Sequence, residues 1–181
     1  MTSLKRILYL FIFLSAVWGC GNNDIEPKNQ VFNDGVSYEL DKGAVIDYGR
    51  TDGATQGYSL NLYLMSPEIS ILGKNGVPDS ISGKGHLILF EMYSSTAKEL
   101  AIGKYEFDAT ASTKEKSFGP ARAIFNANYQ TKTGDEYQIV SGYVIVSKRD
   151  NRYIIDFDCM DNRGKRMNGY YKGEIAYYNM E

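Results

Sequence analysis

The feature that most constrains this chain is an apolar side chain at every second position, recurring in run after run from Tyr58 to the C-terminus. Tyr58, Leu60, Leu62 and Leu64 alternate with Ser59 and Asn61, and Ile88, Phe90 and Met92 with Leu89 and Glu91. Tyr105 and Phe107 flank Glu106, while Ala123, Phe125, Ala127 and Tyr129 alternate with Asn126 and Asn128. Tyr153, Ile155, Phe157 and Cys159 share one phase, with Asp156 and Asp158 in the other. A final run sets Tyr171, Ile175 and Tyr177 against Tyr170, Lys172 and Glu174. A period of two places each set on one face of a strand, and no stretch of ten residues carries a helical stripe. The run from Tyr137 to Val146 is apolar in both phases, which predicts a central or strongly curved strand.

Turn chemistry punctuates these runs. Asp41-Lys42-Gly43, Asp52-Gly53, Asn75-Gly76, Thr133-Gly134, Asp150-Asn151 and Asp161-Asn162-Arg163-Gly164 supply residues that tolerate positive φ or cap a turn with a side chain. Asp150-Asn151 predicts a two-residue hairpin loop, and Gly164 the left-handed position of a longer one. The expected fold is therefore all-β, a single antiparallel meander barrel of about eight to ten strands over residues 34–181. A two-sheet sandwich is the alternative. The 15 Tyr, 8 Phe and 18 Gly, against only 4 Pro, suit pleated surfaces joined by tight turns. A chain of 181 residues buries enough surface to fold without a disulfide or a metal.

The first 19 residues read differently. Lys5 and Arg6 precede an apolar run from Ile7 to Val17, which is the length of a secretory signal core and short for a membrane span. Val17-Trp18-Gly19-Cys20 follows directly. This resembles the lipobox of bacterial lipoproteins, although Trp18 stands where a small residue is usual. The resemblance implies cleavage after Gly19 and acylation of Cys20. Residues 20–33 are polar and aperiodic, which predicts a tether, and Asp24 and Glu26 resemble surface-display signals of Bacteroidetes-type lipoproteins. Gly142 to Tyr178, with Tyr153 to Phe157 and Gly169-Tyr170-Tyr171-Lys172-Gly173, resembles uncharacterised calycin-like β-barrel lipoproteins of such bacteria. That likeness implies an outer-membrane lipoprotein of the cell envelope, facing the periplasm or the surface, with the membrane as partner through its lipid.

Several chemistries are disfavoured. The chain has 20 basic and 22 acidic residues without a basic cluster, so no nucleic-acid partner is expected. His86 is the only histidine, which excludes a multi-histidine metal site and makes a strand-end role the better reading. Ser95-Thr96-Ala97-Lys98 and Lys132-Thr133-Gly134 match short motifs of penicillin-binding proteins, but that chemistry needs a long buried helix at the serine. Cys159 lies in an apolar phase and reads as a small buried hydrophobe rather than a nucleophile. Asp156, Asp158 and Asp161 could recruit Ca²⁺ but lack EF-hand spacing, and no metal or cofactor is expected.

Two sets of candidate ligand residues remain. Tyr63, Tyr143, Tyr170 and Tyr178 fall out of phase with the apolar face of their runs and offer flat rings to a glycan or a protein. Sheet-stabilising cross-strand pairing is the competing reading. Leu60, Leu62, Phe90, Phe125 and Phe157 would line the interior of a barrel that holds an apolar small molecule. The expectation is a non-catalytic envelope protein that binds a small apolar ligand, a glycan or another envelope protein. A carboxylate-dependent hydrolase and a structural surface subunit are the alternatives.

Overall fold

Alternation in the sequence becomes curvature in three dimensions. The computed structural model describes residues 26–52, 56–74 and 76–180. The signal segment, Cys20 and most of the tether lie outside the described residues. Thirteen strands and no helix are present among them. They are β1 (Gln30–Asn33), β2 (Val36–Glu39), β3 (Lys42–Arg50), β4 (Tyr58–Met65), β5 (Ser70–Lys74), β6 (Val77–Ser82) and β7 (Lys84–Ser94). The rest are β8 (Gly103–Phe107), β9 (Ser117–Asn128), β10 (Thr133–Arg149), β11 (Arg152–Asp161), β12 (Arg166–Gly173) and β13 (Ile175–Asn179). The count exceeds the eight to ten expected, because the short strands β1, β2, β5 and β6 add to it and the expected last strand divides at Glu174 into β12 and β13.

Eleven strands form one sheet in the order β13-β3-β4-β7-β9-β8-β10-β11-β12-β1-β2, curled into a half-barrel. The meander predicted for β10, β11 and β12 is observed, each strand antiparallel to the next. Asp150 and Asn151 have φ of 51° and 61°, the handedness that a two-residue loop between twisted strands requires. Gly164 takes φ 76° in the following turn. Several pairings join strands that are not consecutive, and two of them are parallel. β8 inserts beside β9 in parallel, and β13 runs parallel to β3. β9 and β10 pair only as far as Ala121 and Ile139, where a bulge before Ser141 splays them and β8 fills the gap.

The concave side holds the main core. Leu60, Leu62, Phe90, Phe125 and Phe157, each at most 3% exposed, belong to it. The Phe90 ring meets Phe118 and Phe157 edge-on at centroid distances of 5.5 and 5.3 Å. Gly169 makes room for this packing, since a Cβ there would sit 2.3 Å from Cζ of Phe157. The β11 alternation is realised as read, with Ile155, Phe157 and Cys159 inward.

A second apolar layer was not foreseen. Ala44, Ile46, Tyr63, Met65, Leu87 and Leu89 point to the convex side of β3, β4 and β7 and are buried there. The β5–β6 hairpin, a separate two-stranded sheet, lays Ile71 and Ile81 across them. These three strands, rather than β10, are the ones buried on both faces. On β10 the outward Val140 and Ile145 are 46% and 38% exposed.

Candidate functional site

Register brings the outward side chains of β8, β10, β11, β12 and β1 into two rows across the convex face. One row runs Glu106, Tyr143, Asp158, Asn168, Phe32, and the other Lys104, Ile145, Asp156, Tyr170, Gln30. Strands about 4.8 Å apart put Tyr143 and Tyr170 two spacings, roughly 10 Å, from each other in the hydrogen-bonding direction. Between them stand the two carboxylates of β11. A groove of about 460 Å³ opens here, with Pro27 and Lys28 at its rim.

The charges in the groove are unequally engaged. Arg166 forks onto Asp158, with Nε and Nη2 donating at 2.8 and 2.7 Å, and these bonds hold the Asp158 carboxyl below its ordinary value. Asp156 is exposed as a residue, yet desolvation beside its cross-strand neighbours Ile145 and Tyr170 raises its carboxyl. Lys104 pairs with Glu106 at 2.5 Å and sets its ammonium 4.3 Å from the centre of the Tyr143 ring. The Tyr170 hydroxyl donates to Glu26 at 3.4 Å, and Lys172 pairs with the same carboxylate.

Of the four tyrosines singled out from sequence, Tyr143 and Tyr170 thus share one groove. Tyr63 is 8% exposed and belongs to the second apolar layer, with one edge on a small cleft of about 160 Å³. Tyr178 borders an apolar groove of about 490 Å³ between β13 and β5. A larger polar recess, about 680 Å³, adjoins the Tyr170 groove but has no aromatic lining and so no stacking surface. Phe32, Asn168 and Arg166 were missed. Phe32 fell inside the expected tether, and Asn168 and Arg166 acquire meaning only from the β11–β12 register.

No known family, characterised protein or solved structure matches this chain.

The remaining candidates have structural placements. Ser95 follows Ser94, whose buried hydroxyl donates to the Glu99 carbonyl at 2.8 Å and accepts the Ala101 N–H at 3.0 Å. This closes a turn, not a helix. Lys132 sits beyond the opposite end of β7, where Lys84 pairs with Asn128, about 33 Å of extended strand away. The two motif fragments do not meet. His86 lies in β7 with its Nδ1 accepting the Asn126 N–H at 3.2 Å and its ring edge-on to Tyr38, and desolvation lowers its pKa. The Cys159 thiol is buried, donates weakly to the Tyr143 carbonyl and is pushed up to about 12 by desolvation, the opposite of an activated nucleophile. Asp161 is fully buried, on the face away from Asp156 and Asp158, and is bound by Arg163. The three aspartates therefore do not converge, and no group of three metal-ligating side chains occurs among the described residues.

Proposed function

We propose that this protein is a lipid-anchored, non-catalytic glycan-binding module of the bacterial cell envelope. The observation that carries the reading is the pair of tyrosine rings flanking Asp156, Asp158 and Asn168 on one outer sheet face. Tyrosine presents a flat apolar area to the C–H face of a sugar at low entropic cost, and carboxylates and amides pair with vicinal hydroxyls. An apolar ligand inside the barrel has less support, because Leu60, Leu62, Phe90, Phe125 and Phe157 pack on one another and on the rest of the core. The anchor and the envelope location rest on the lipobox resemblance at Cys20. A closed calycin-like barrel is the finer reading of the half-barrel. It is supported by the step from β12 through Glu174 into β13, which carries the chain from β11 and β1 to the far edge at β3.

Tyr143→Ala and Tyr170→Ala test the reading on an oligosaccharide panel that includes neutral, amino and acidic sugars. Each should weaken the best ligand of the wild-type protein at least tenfold, about 1.4 kcal/mol, while leaving the melting temperature within a few degrees. Binding unchanged in both variants, or no binding by the wild type, would refute it.

A hydrolase has one observation in its favour, the opposite displacement of the Asp156 and Asp158 carboxyls within one groove. Against it, the Arg166 fork occupies the carboxylate that would have to act as base or nucleophile. New reducing ends appearing with wild-type protein but not with Asp156→Asn would establish the hydrolase in place of the binding module.

A further inference from the structure

We propose that the groove selects glycans bearing a free amino group, and that Asp156 is the residue that reads it. The inference rests on the glycan-binding reading and names the ligand class for that same groove.

Most charges around the groove are already engaged. Asp158 is neutralised by the two-pronged contact from Arg166. Lys104 is paired with Glu106. Glu26 is paired with Lys172, so the charges lining the groove that have no ion pair among the described residues are Lys28 at its edge and Asp156 at its centre. The Asp156 carboxylate receives no hydrogen bond or ion pair from any other described residue, although it stands centrally in its row between Ile145 and Tyr170. Those neighbours remove water from its flanks without replacing it. A ligand ammonium restores the missing donor and balances the charge, which a hydroxyl does only in part.

The rings point the same way. A cation is attracted to the face of a tyrosine; the Lys104 ammonium already lies 4.3 Å from the Tyr143 centroid, whereas no cation of the described residues stacks on Tyr170, so Tyr170 is the ring left to attract a ligand ammonium. A glycan rich in uronic acids would instead bring carboxylates against the uncompensated Asp156 on β11. Like charges at such range repel and disfavour that class. The selectivity is thus built from one attractive and one repulsive term acting at the same carboxylate.

The test compares two sugars that differ only at nitrogen, a β-1,4-linked glucosamine tetrasaccharide and its fully N-acetylated counterpart. Both are titrated calorimetrically into the full-length protein and into Asp156→Asn. Asn keeps the size of the residue and one acceptor oxygen but removes its charge. The deacetylated sugar should bind the wild type about tenfold more tightly than the acetylated one, and Asp156→Asn should bring the two affinities together. Asp156 is exposed, so the variant should melt with the wild type and any change reports on recognition. Equal wild-type affinities, a preference that survives in Asp156→Asn, or binding of neither sugar would each overturn the inference. Binding of the acetylated sugar alone, lost in Tyr143→Ala, would overturn the amine preference while upholding the glycan site.

Discussion

Asp161 shows how much of this fold one side chain can organise. Its carboxylate accepts hydrogen bonds from Arg163 N, Nε and Nη2 at 2.9, 2.9 and 2.6 Å and from Lys165 N at 2.9 Å. Arg163 in turn reaches Asn33 of β1 at 3.3 Å and lies 3.7 Å over the Tyr137 ring of β10. Burial by itself would raise the Asp161 carboxyl, but the guanidinium and the backbone N–H groups outweigh it and hold the group below its ordinary 3.8. The unfolded chain therefore takes up this proton at a higher pH than the folded one. The stabilisation is complete above about pH 5 and drains away as pH falls through 3.8 toward the folded value. The urea midpoint of the wild type should drop between pH 5 and pH 2, and Asp161→Asn should show a shallower drop. Asp161→Ala should cost about 3 kcal/mol at pH 7, because it strips a buried network of its acceptor. A midpoint unchanged in the alanine variant would remove Asp161 from this role.

At the scale of elements, the β5–β6 hairpin stands apart. Two-stranded sheets are marginal by themselves, and this one is held by Ile69, Ile71 and Ile81 on the apolar layer of β3, β4 and β7. Among the described residues its strands pair only with each other, while β4 and β7 are paired on both edges. Amides of β5 and β6 should exchange with deuterium well before those of β4 and β7, by local detachment rather than global unfolding. Protection in the hairpin equal to that in β4 would contradict this. The hairpin also explains what the sequence could and could not reveal. In β11 a polar phase faces water, so Asp156 and Asp158 could be sorted from Ile155 and Phe157 by alternation alone. In β4 and β7 the second phase is covered by a distant segment, and a pattern of period two carries no sign of that cover. Tyr63, taken as a surface ring, is buried for this reason. Tyr143 and Tyr170 were recognisable one at a time. Their meeting with Phe32 depends on how β10, β11, β12 and β1 align, which no local pattern encodes.

For the molecule as a whole, the anchor proposed at Cys20 makes a separable prediction. No helix among the described residues is long and apolar enough to cross a membrane. If retention depends on the lipid, Cys20→Ser should move the protein from the membrane fraction to the soluble fraction with its far-UV spectrum unchanged. A variant that still sediments with membranes would refute the anchor and leave the groove untouched. The described chain begins beside that groove. Asn29 donates to the Lys172 carbonyl at 3.1 Å and accepts its N–H at 2.7 Å, and Glu26 is held by Lys172 and Tyr170. Six peptide steps separate Cys20 from Glu26, about 20 Å when fully stretched. A lipid on that cysteine would act as a short leash clipped at the mouth of the groove. Such a leash turns a search through volume into a search across a surface and raises the effective concentration of anything presented by the same leaflet. The first sugars within reach would be those of the protein's own membrane.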